Sequence, residues 1–329
     1  MASSTFDCPL PEDDITSPTA INITVQDDTL TEWRLSVRAT GDEDEGLVIA
    51  SGSANASLAD VAEFDPTLLE NGQHDIVLQA WDVAGHHSYT SRNVLVSGAM
   101  KVGQFAFTVE DLSMPLMGLP VRISRTYNNF TRHQNGEVGY GWKLDYQSAK
   151  VQENLEPTNG WKLEQEYQYF ETGTDTPPIR LEGSCLRSKY SKHVTVTLPD
   201  GEVERFRVKG VFTNGSMQSL GSPECYLVPS DYVTLVFEAQ GDTTSTLTSA
   251  DGVSLYFRAG ESENLRAEII DYAAAPITHY TLTTREGMQY ELDQGFGIRK
   301  VIDPNGNTLT YSSSGISHSA GESLLFRRD

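Results

Sequence analysis

Four stretches of this chain follow one plan. TLPDGEVERFRV at 197–208, TSADGVSLYFRA at 248–259, TTREGMQYELDQ at 283–294 and VIDPNGNTLTYS at 301–312 each run as a strand, a turn ending in glycine, and a return strand bearing an aromatic or leucine. Glycine supplies the positive φ that primed hairpin turns require, so each stretch predicts a β-hairpin. A lone two-stranded hairpin cannot bury itself in water. Repeated hairpins must therefore stack into a continuous sheet or shell, and an all-β architecture follows.

The first hundred residues carry a different β pattern. Short alternating segments at 21–25, 32–38, 47–51, 76–81 and 94–97 are separated by Gly, Asn and Asp clusters. Strands at this spacing predict a β-sandwich. Asn71-Gly72 makes the turn into one strand, Ile76, Leu78 and Ala80 face its core, and residues 82–85 close a tight turn. Residues 1–98 hold 17 Asp/Glu against 3 Lys/Arg, an asymmetry that places a domain boundary near residue 98. Residues 1–14, rich in Pro, Asp and Glu, read as a flexible tail.

With a formal net charge of −22, the chain is a poor match for nucleic acid or an anionic membrane surface. Its longest apolar runs fall well short of the ~20 residues of a membrane-spanning helix. The N-terminus lacks the basic and apolar regions of a secretory signal. No nucleophile elbow, zinc-protease, P-loop or dinucleotide motif occurs, so no enzymatic chemistry is expected.

Three cysteines are present, Cys8, Cys185 and Cys225, with no CxxC. Cys185 and Cys225 are candidates for a disulfide, set against isolated thiols. The acidic run 42–45 has two readings. One is a solvated charged turn; the other is a weak Ca²⁺ site using Asp42 and Asp44, with Asp27 and Asp82 as further candidate ligands. Consecutive acids point alternately to opposite sides, which favours the solvated turn.

Residues 104–146 read as a strand, a break at Pro115, Gly118 and Pro120, a second strand ending in Arg125-Thr126-Tyr127-Asn128, a polar loop, and then Gly139-Tyr140-Gly141-Trp142. Gly139 and Gly141 permit close backbone approach, and Tyr140 and Trp142 are expected on one strand face. Arg122 and Arg125 are expected to pair with acids such as Glu110 or Asp111. This segment resembles the opening of bacterial Rhs/YD-repeat proteins, and GIRKVIDPNGN at 297–307 resembles one of their repeats. The stretch AEFDPTLLENGQHDIVLQAWDVAGHHS resembles the later half of a bacterial Ig-like domain.

The resemblance implies a tail at 1–14, an Ig-like sandwich at 15–98, an Rhs N-terminal region at 99–279 and the first YD-type hairpins at 280–329. In that reading Tyr127, Tyr140, Trp142, Gly139, Gly141 and Pro120 form the structural seam of the shell opening. The chain stops on an ascending hairpin strand, as a fragment of a longer repeat protein would. The implied function is that of a non-catalytic capping module of a secreted or surface bacterial shell. Its partners would be the remaining shell, an enclosed C-terminal toxin, and a delivery or anchoring protein. The competing reading is an extracellular adhesion module that binds glycans or a receptor.

Overall fold

In the computed structural model the chain is built almost wholly of β-strands. The structure describes residues 3–9, 14–41, 45–98, 100–116, 118–158, 160–170, 178–188, 190–212, 216–218, 225–228, 232–249, 255–257, 265–267 and 276–327. Packing divides the chain into two units: Met1–Asn154 with Thr195–Val203, and Leu155–Val194 with Glu204–Asp329. The sandwich and most of the 104–146 segment's surroundings thus share one unit.

In the first unit two sheets enclose one core. The smaller contains Ser3–Cys8, Thr19–Gln26 and Ala56–Phe64 in that order. The larger runs Asp14–Ile15, His87–Val96, Gly72–Asp82, Leu30–Ala39, Leu47–Gly52. Alternation explains the inner faces. Ile21, Ile23 and Val25 from one sheet meet Leu35, Ile76 and Leu78 from the other, all fully buried. Each such side chain contributes about 1.5–3 kcal/mol through removal from water. Ala80, also expected on this face, is fully buried with them.

The expected tail at 1–14 is in part a strand. Ser3–Cys8 pairs antiparallel with Thr19–Gln26, and Phe6 reaches the core at 7% exposure. Phe6 lies between the outward-facing Thr5 and Asp7, so period-two alternation turns its ring inward. The polar composition around it concealed this.

A further three-stranded sheet in the same unit runs Trp142–Leu144, Val121–Asn128, Ala106–Met114. Pro115, Gly118 and Pro120 fall in the loop between its last two strands, where proline costs no ladder hydrogen bond. Gln152 ties the neighbouring chain to the sandwich. Its Oε1 accepts from the Gln73 N–H at 3.0 Å, and its Nε2 donates to the carbonyls of Gln73 and Thr40 at 3.0 and 3.3 Å.

In the second unit a long antiparallel sheet extends from Val203–Phe212, which begins at the unit boundary. It continues through Tyr232–Ala239, Thr246–Ser249, His279–Thr283, Gln289–Asp293, Gly297–Ile302, Thr308–Ser312, Gly315–His318 and Ser323–Leu325. From His279 onward each strand pairs with the next in sequence. Phe237, Tyr280, Leu282, Leu292, Leu309 and Ile316 are buried along it. A four-stranded sheet of this unit includes Ile179–Ser188 next to Cys225–Val228. There Cys185 is fully buried and disulfide-bonded, and its cross-strand register partner is Cys225.

The hairpin turns differ from the primed type expected. Five loops share one geometry: 82–86, 198–202, 284–288, 303–307 and 318–322. In each, the fourth residue donates to the first carbonyl, and the first N–H donates to the fifth carbonyl. The fourth residue is always a glycine of positive φ, between 80° and 103°. This is a type I turn closed by a glycine bulge. Pro199 and Pro304, second in their loops, are locked near φ −65° and exclude the positive φ that a type I′ turn demands there. Most of the turn of the 248–259 hairpin lies outside the described residues.

Asp82 and Asp303 reinforce two of these loops. Asp303 Oδ1 accepts from the N–H groups of Asn305 and Asn307 at 2.9 and 2.8 Å, and Oδ2 from the Asn307 amide at 2.7 Å. Asp82 holds Ala84 and His86 in the same way at 2.9 and 2.8 Å, with the His86 ring at 2.7 Å. Among the described residues, no helix is long and apolar enough to cross a membrane.

Candidate functional site

Arg125-Thr126-Tyr127-Asn128 and Gly139-Tyr140-Gly141-Trp142 organise this region, and each residue of the first motif has a separate task. Tyr127 is the register partner of both Phe107 and Trp142, so three rings share one face of the three-stranded sheet. Their centroids lie 5.8 Å apart for Phe107–Tyr127, 5.5 Å for Tyr127–Trp142 and 5.2 Å for Phe107–Trp142. Phe105 joins at 5.4 Å from Phe107. Each tilted or edge-to-face pair contributes about 0.5–1.5 kcal/mol beyond its buried area. The Arg125 guanidinium lies 5.1 Å from the Trp142 ring centroid and 2.9 Å from Asp111, the ion pair expected from the sequence.

Thr126 points to the opposite face. Its hydroxyl donates to Asp145 at 3.1 Å and is hydrogen-bonded to Thr108 at 2.7 Å. Asn128 caps the short helical turn Asn129–Thr131 through its Oδ1 at 3.0 Å from the Phe130 N–H, while its Nδ2 donates to Glu70 at 2.7 Å.

Gly141 explains the spacing of the second motif. It sits at φ +74°, and its carbonyl accepts from the Asn128 N–H at 2.9 Å. A left-handed residue here ends one short strand and starts the next. Tyr140 and Trp142 therefore do not act as same-face neighbours on one strand: Trp142 packs into the ring cluster, whereas Tyr140 is 65% exposed. The aromatic face as a whole is only half covered, with Phe105 59% and Phe107 42% exposed.

On the Thr126 side of this sheet lies a cleft of about 870 Å³, lined by first-unit residues that include Ala106, Thr108, Thr126 and Lys143. Glu70 is on its wall, 2.6 Å from Lys150. Burial by itself would raise the Glu70 carboxyl. The Lys150 charge and hydrogen bond, with Lys143 and more weakly His74 behind them, hold it below its ordinary value instead. His74, buried near these cations, is pushed down to about 4, chiefly by desolvation, and is neutral at physiological pH.

Sequence reasoning missed Glu70, Asn128, Lys101, Lys143 and Lys150. They are scattered over eighty residues, and the one readable signal was the confinement of the unit's lysines to a short stretch. Asp42 and Asp44 lie outside the described residues. Asp82 spends its carboxylate on the 82–86 loop, and Asp27 spends its own on the Thr29 N–H and hydroxyl, each at 2.7 Å. No group of three or more His, Cys, Asp or Glu is placed to hold a metal among the described residues.

Residues 99–161 match a family model described as Domain of unknown function (DUF6531). The matched stretch covers the ring cluster, both motifs and the three lysines, but only a minority of the chain. No curated protein and no solved structure matches the chain.

Proposed function

We propose that this chain is a non-catalytic structural module of an Rhs-type β-shell, capping or opening a container for a C-terminal effector. The observation that carries this reading is the unbroken meander from His279 to Leu325, in which every strand pairs with its sequence neighbour. Such a sheet grows one hairpin at a time. Among the described residues, Ser323–Leu325 pairs on one side only, leaving an edge that another strand would cover. The repeated glycine-bulge loop is the local device that makes this addition regular.

In this reading the sandwich is a spacer or docking module, and the aromatic cluster locks the first strands of the shell. Its partners are the rest of the shell, the effector and a delivery or anchoring protein, at a secreted or cell-surface location. The test is to express the complete reading frame that contains this chain and image its product by electron microscopy. A hollow β-shell continuous with the 279–325 sheet supports the proposal. A reading frame that stops at Asp329, or a product without further hairpins, overturns it.

A further inference from the structure

Two strands of the second unit are joined to the rest of it by very little backbone. Trp161–Phe170 pairs with Ile179–Ser188 along the full length of both strands. On the other edge of Ile179–Ser188, Cys225–Val228 pairs, among the described residues, only at Ser184 and Cys185. Ser216–Gln218 lies beyond it and, among the described residues, pairs with Cys225–Val228 alone. An isolated strand pair is marginal in water, and a ladder this short adds little to hold it. Ile179–Ser188 itself is firmly seated. Leu186 is 1% exposed and fills the space beside Gly210 that a Cβ would need, with Trp161 packed next to it.

A covalent bond lies within this short ladder. Cys185 is fully buried and disulfide-bonded. Of the two other cysteines, Cys225 is its direct opposite in the antiparallel register, whereas Cys8 belongs to the first unit and stands opposite Asn22. Residues directly opposite in an antiparallel pair have Cα atoms about 4.5–5.5 Å apart, within the span that a disulfide bridges. The backbone register thus selects Cys225 as the partner.

We propose that a Cys185–Cys225 disulfide is a redox-controlled staple that fixes the strands Cys225–Val228 and Ser216–Gln218 to the sheet. Forming it takes two electrons and two protons from the two thiols, and an external disulfide accepts them and becomes two thiols. Reduction runs the same exchange backwards. With the bond made, this strand pair covers part of the edge of Ile179–Ser188. With it broken, the short ladder is left alone, the strand pair departs, and the backbone at Ser184 and Cys185 is open to another strand. Reducing compartments keep thiols unpaired. The closed form therefore belongs to an oxidising compartment, and entry into a reducing one opens an edge in this sheet. The staple does not depend on the shell reading above.

Hydrogen exchange read by mass spectrometry on the purified chain tests the proposal, comparing protein oxidised with glutathione disulfide and protein reduced with dithiothreitol in the absence of denaturant. Peptide mapping of the oxidised protein is expected to find Cys185 bonded to Cys225 and Cys8 alkylated by iodoacetamide. Reduction is expected to speed exchange at Ser216–Gln218 and Tyr226–Val228 by about thirtyfold or more, the lower end of what a disulfide contributes. Exchange at Thr19–Gln26 and Gly297–Ile302 should stay as it was. Because Cys185 is buried, a Cys185→Ala/Cys225→Ala double variant, checked for folding by circular dichroism, repeats the comparison without needing access for the reductant. Cys8→Ser should keep the full redox response. Bonding of Cys185 to Cys8 overturns the proposal. So does unchanged exchange at 216–218 and 226–228 in fully reduced protein, or an equal rise across all strands, which marks global loosening rather than release of one strand pair.

Discussion

Replacing Gly141 with alanine separates backbone strain from packing strain when it is compared with Gly85→Ala. Both glycines belong to the first unit and have nearly the same backbone, φ +74° and +80°. An L-residue in this region costs about 1–2 kcal/mol at either position. Their surroundings differ. A Cβ at Gly85 meets nothing within 4 Å, whereas at Gly141 it meets Tyr127 Cε2 at 2.8 Å and the Arg132 Cα at 3.0 Å. The Arg132 backbone cannot yield as a flexible side-chain tip would, and Tyr127 is held between Phe107 and Trp142. Overpacking of this kind adds about 1–3 kcal/mol. Gly141→Ala is thus expected to cost about 2–5 kcal/mol and Gly85→Ala about 1–2 kcal/mol. Urea unfolding followed by near-ultraviolet circular dichroism reads both, and the aromatic signal of the ring cluster should weaken in Gly141→Ala alone. Equal unfolding midpoints for the two variants would refute the steric argument.

Three further outcomes are expected. His74 titrates near 6.5 in the unfolded chain but at about 4 when folded, so stability from this residue is fully present above pH 6.5 and falls by up to about 3 kcal/mol as the pH drops to 4; His74→Gln should remove that part of the slope in urea midpoints measured at pH 7 and 4.5. Gln152→Leu leaves the buried Gln73 N–H without its acceptor, at a cost of about 1–3 kcal/mol, and amide exchange at Gln73 should accelerate; unchanged exchange would refute the tie. The hydrogen bonds from Asn307, and those from Asn305, hold the Asp303 carboxyl below its ordinary value of 3.8 against a smaller opposing effect of burial, so its stabilisation is present above that pH and lost as the pH falls through the lower folded value; Asp303→Ala should lower the melting temperature at pH 6 and flatten its acid limb.

Much of the fold was legible because β-structure writes itself into the chain with period two. Ile21, Ile23 and Val25, or Ile76, Leu78 and Ala80, needed no tertiary information to be placed inside. The turn positions were legible through their glycines, but the turn type was misjudged. Asp-Gly and Asn-Gly can fill the centre of a primed turn or the end of a type I turn with a glycine bulge, and Pro199 and Pro304, locked near φ −65°, start the type I turn one residue earlier. The Ser3–Cys8 strand was lost because one aromatic residue in a polar stretch is too weak a signal without its partner strand.

The amino-acid sequence by itself determined the class of structure: an all-β chain, a sandwich pattern before residue 98, hairpins punctuated by glycine, and two aromatic motifs at 125–128 and 139–142. These follow from local rules, alternation and allowed φ, which act over a few residues. Tertiary structure alone decided that Phe107 completes the ring cluster, that Tyr140 leaves it, and that Lys101, Lys143, Lys150, Glu70, Asn71 and Thr197 border one cleft. Those residues are up to 127 positions apart in sequence. Which of them meet depends on which strand edges pair, and pairing is settled by burial across the whole unit rather than by any local pattern.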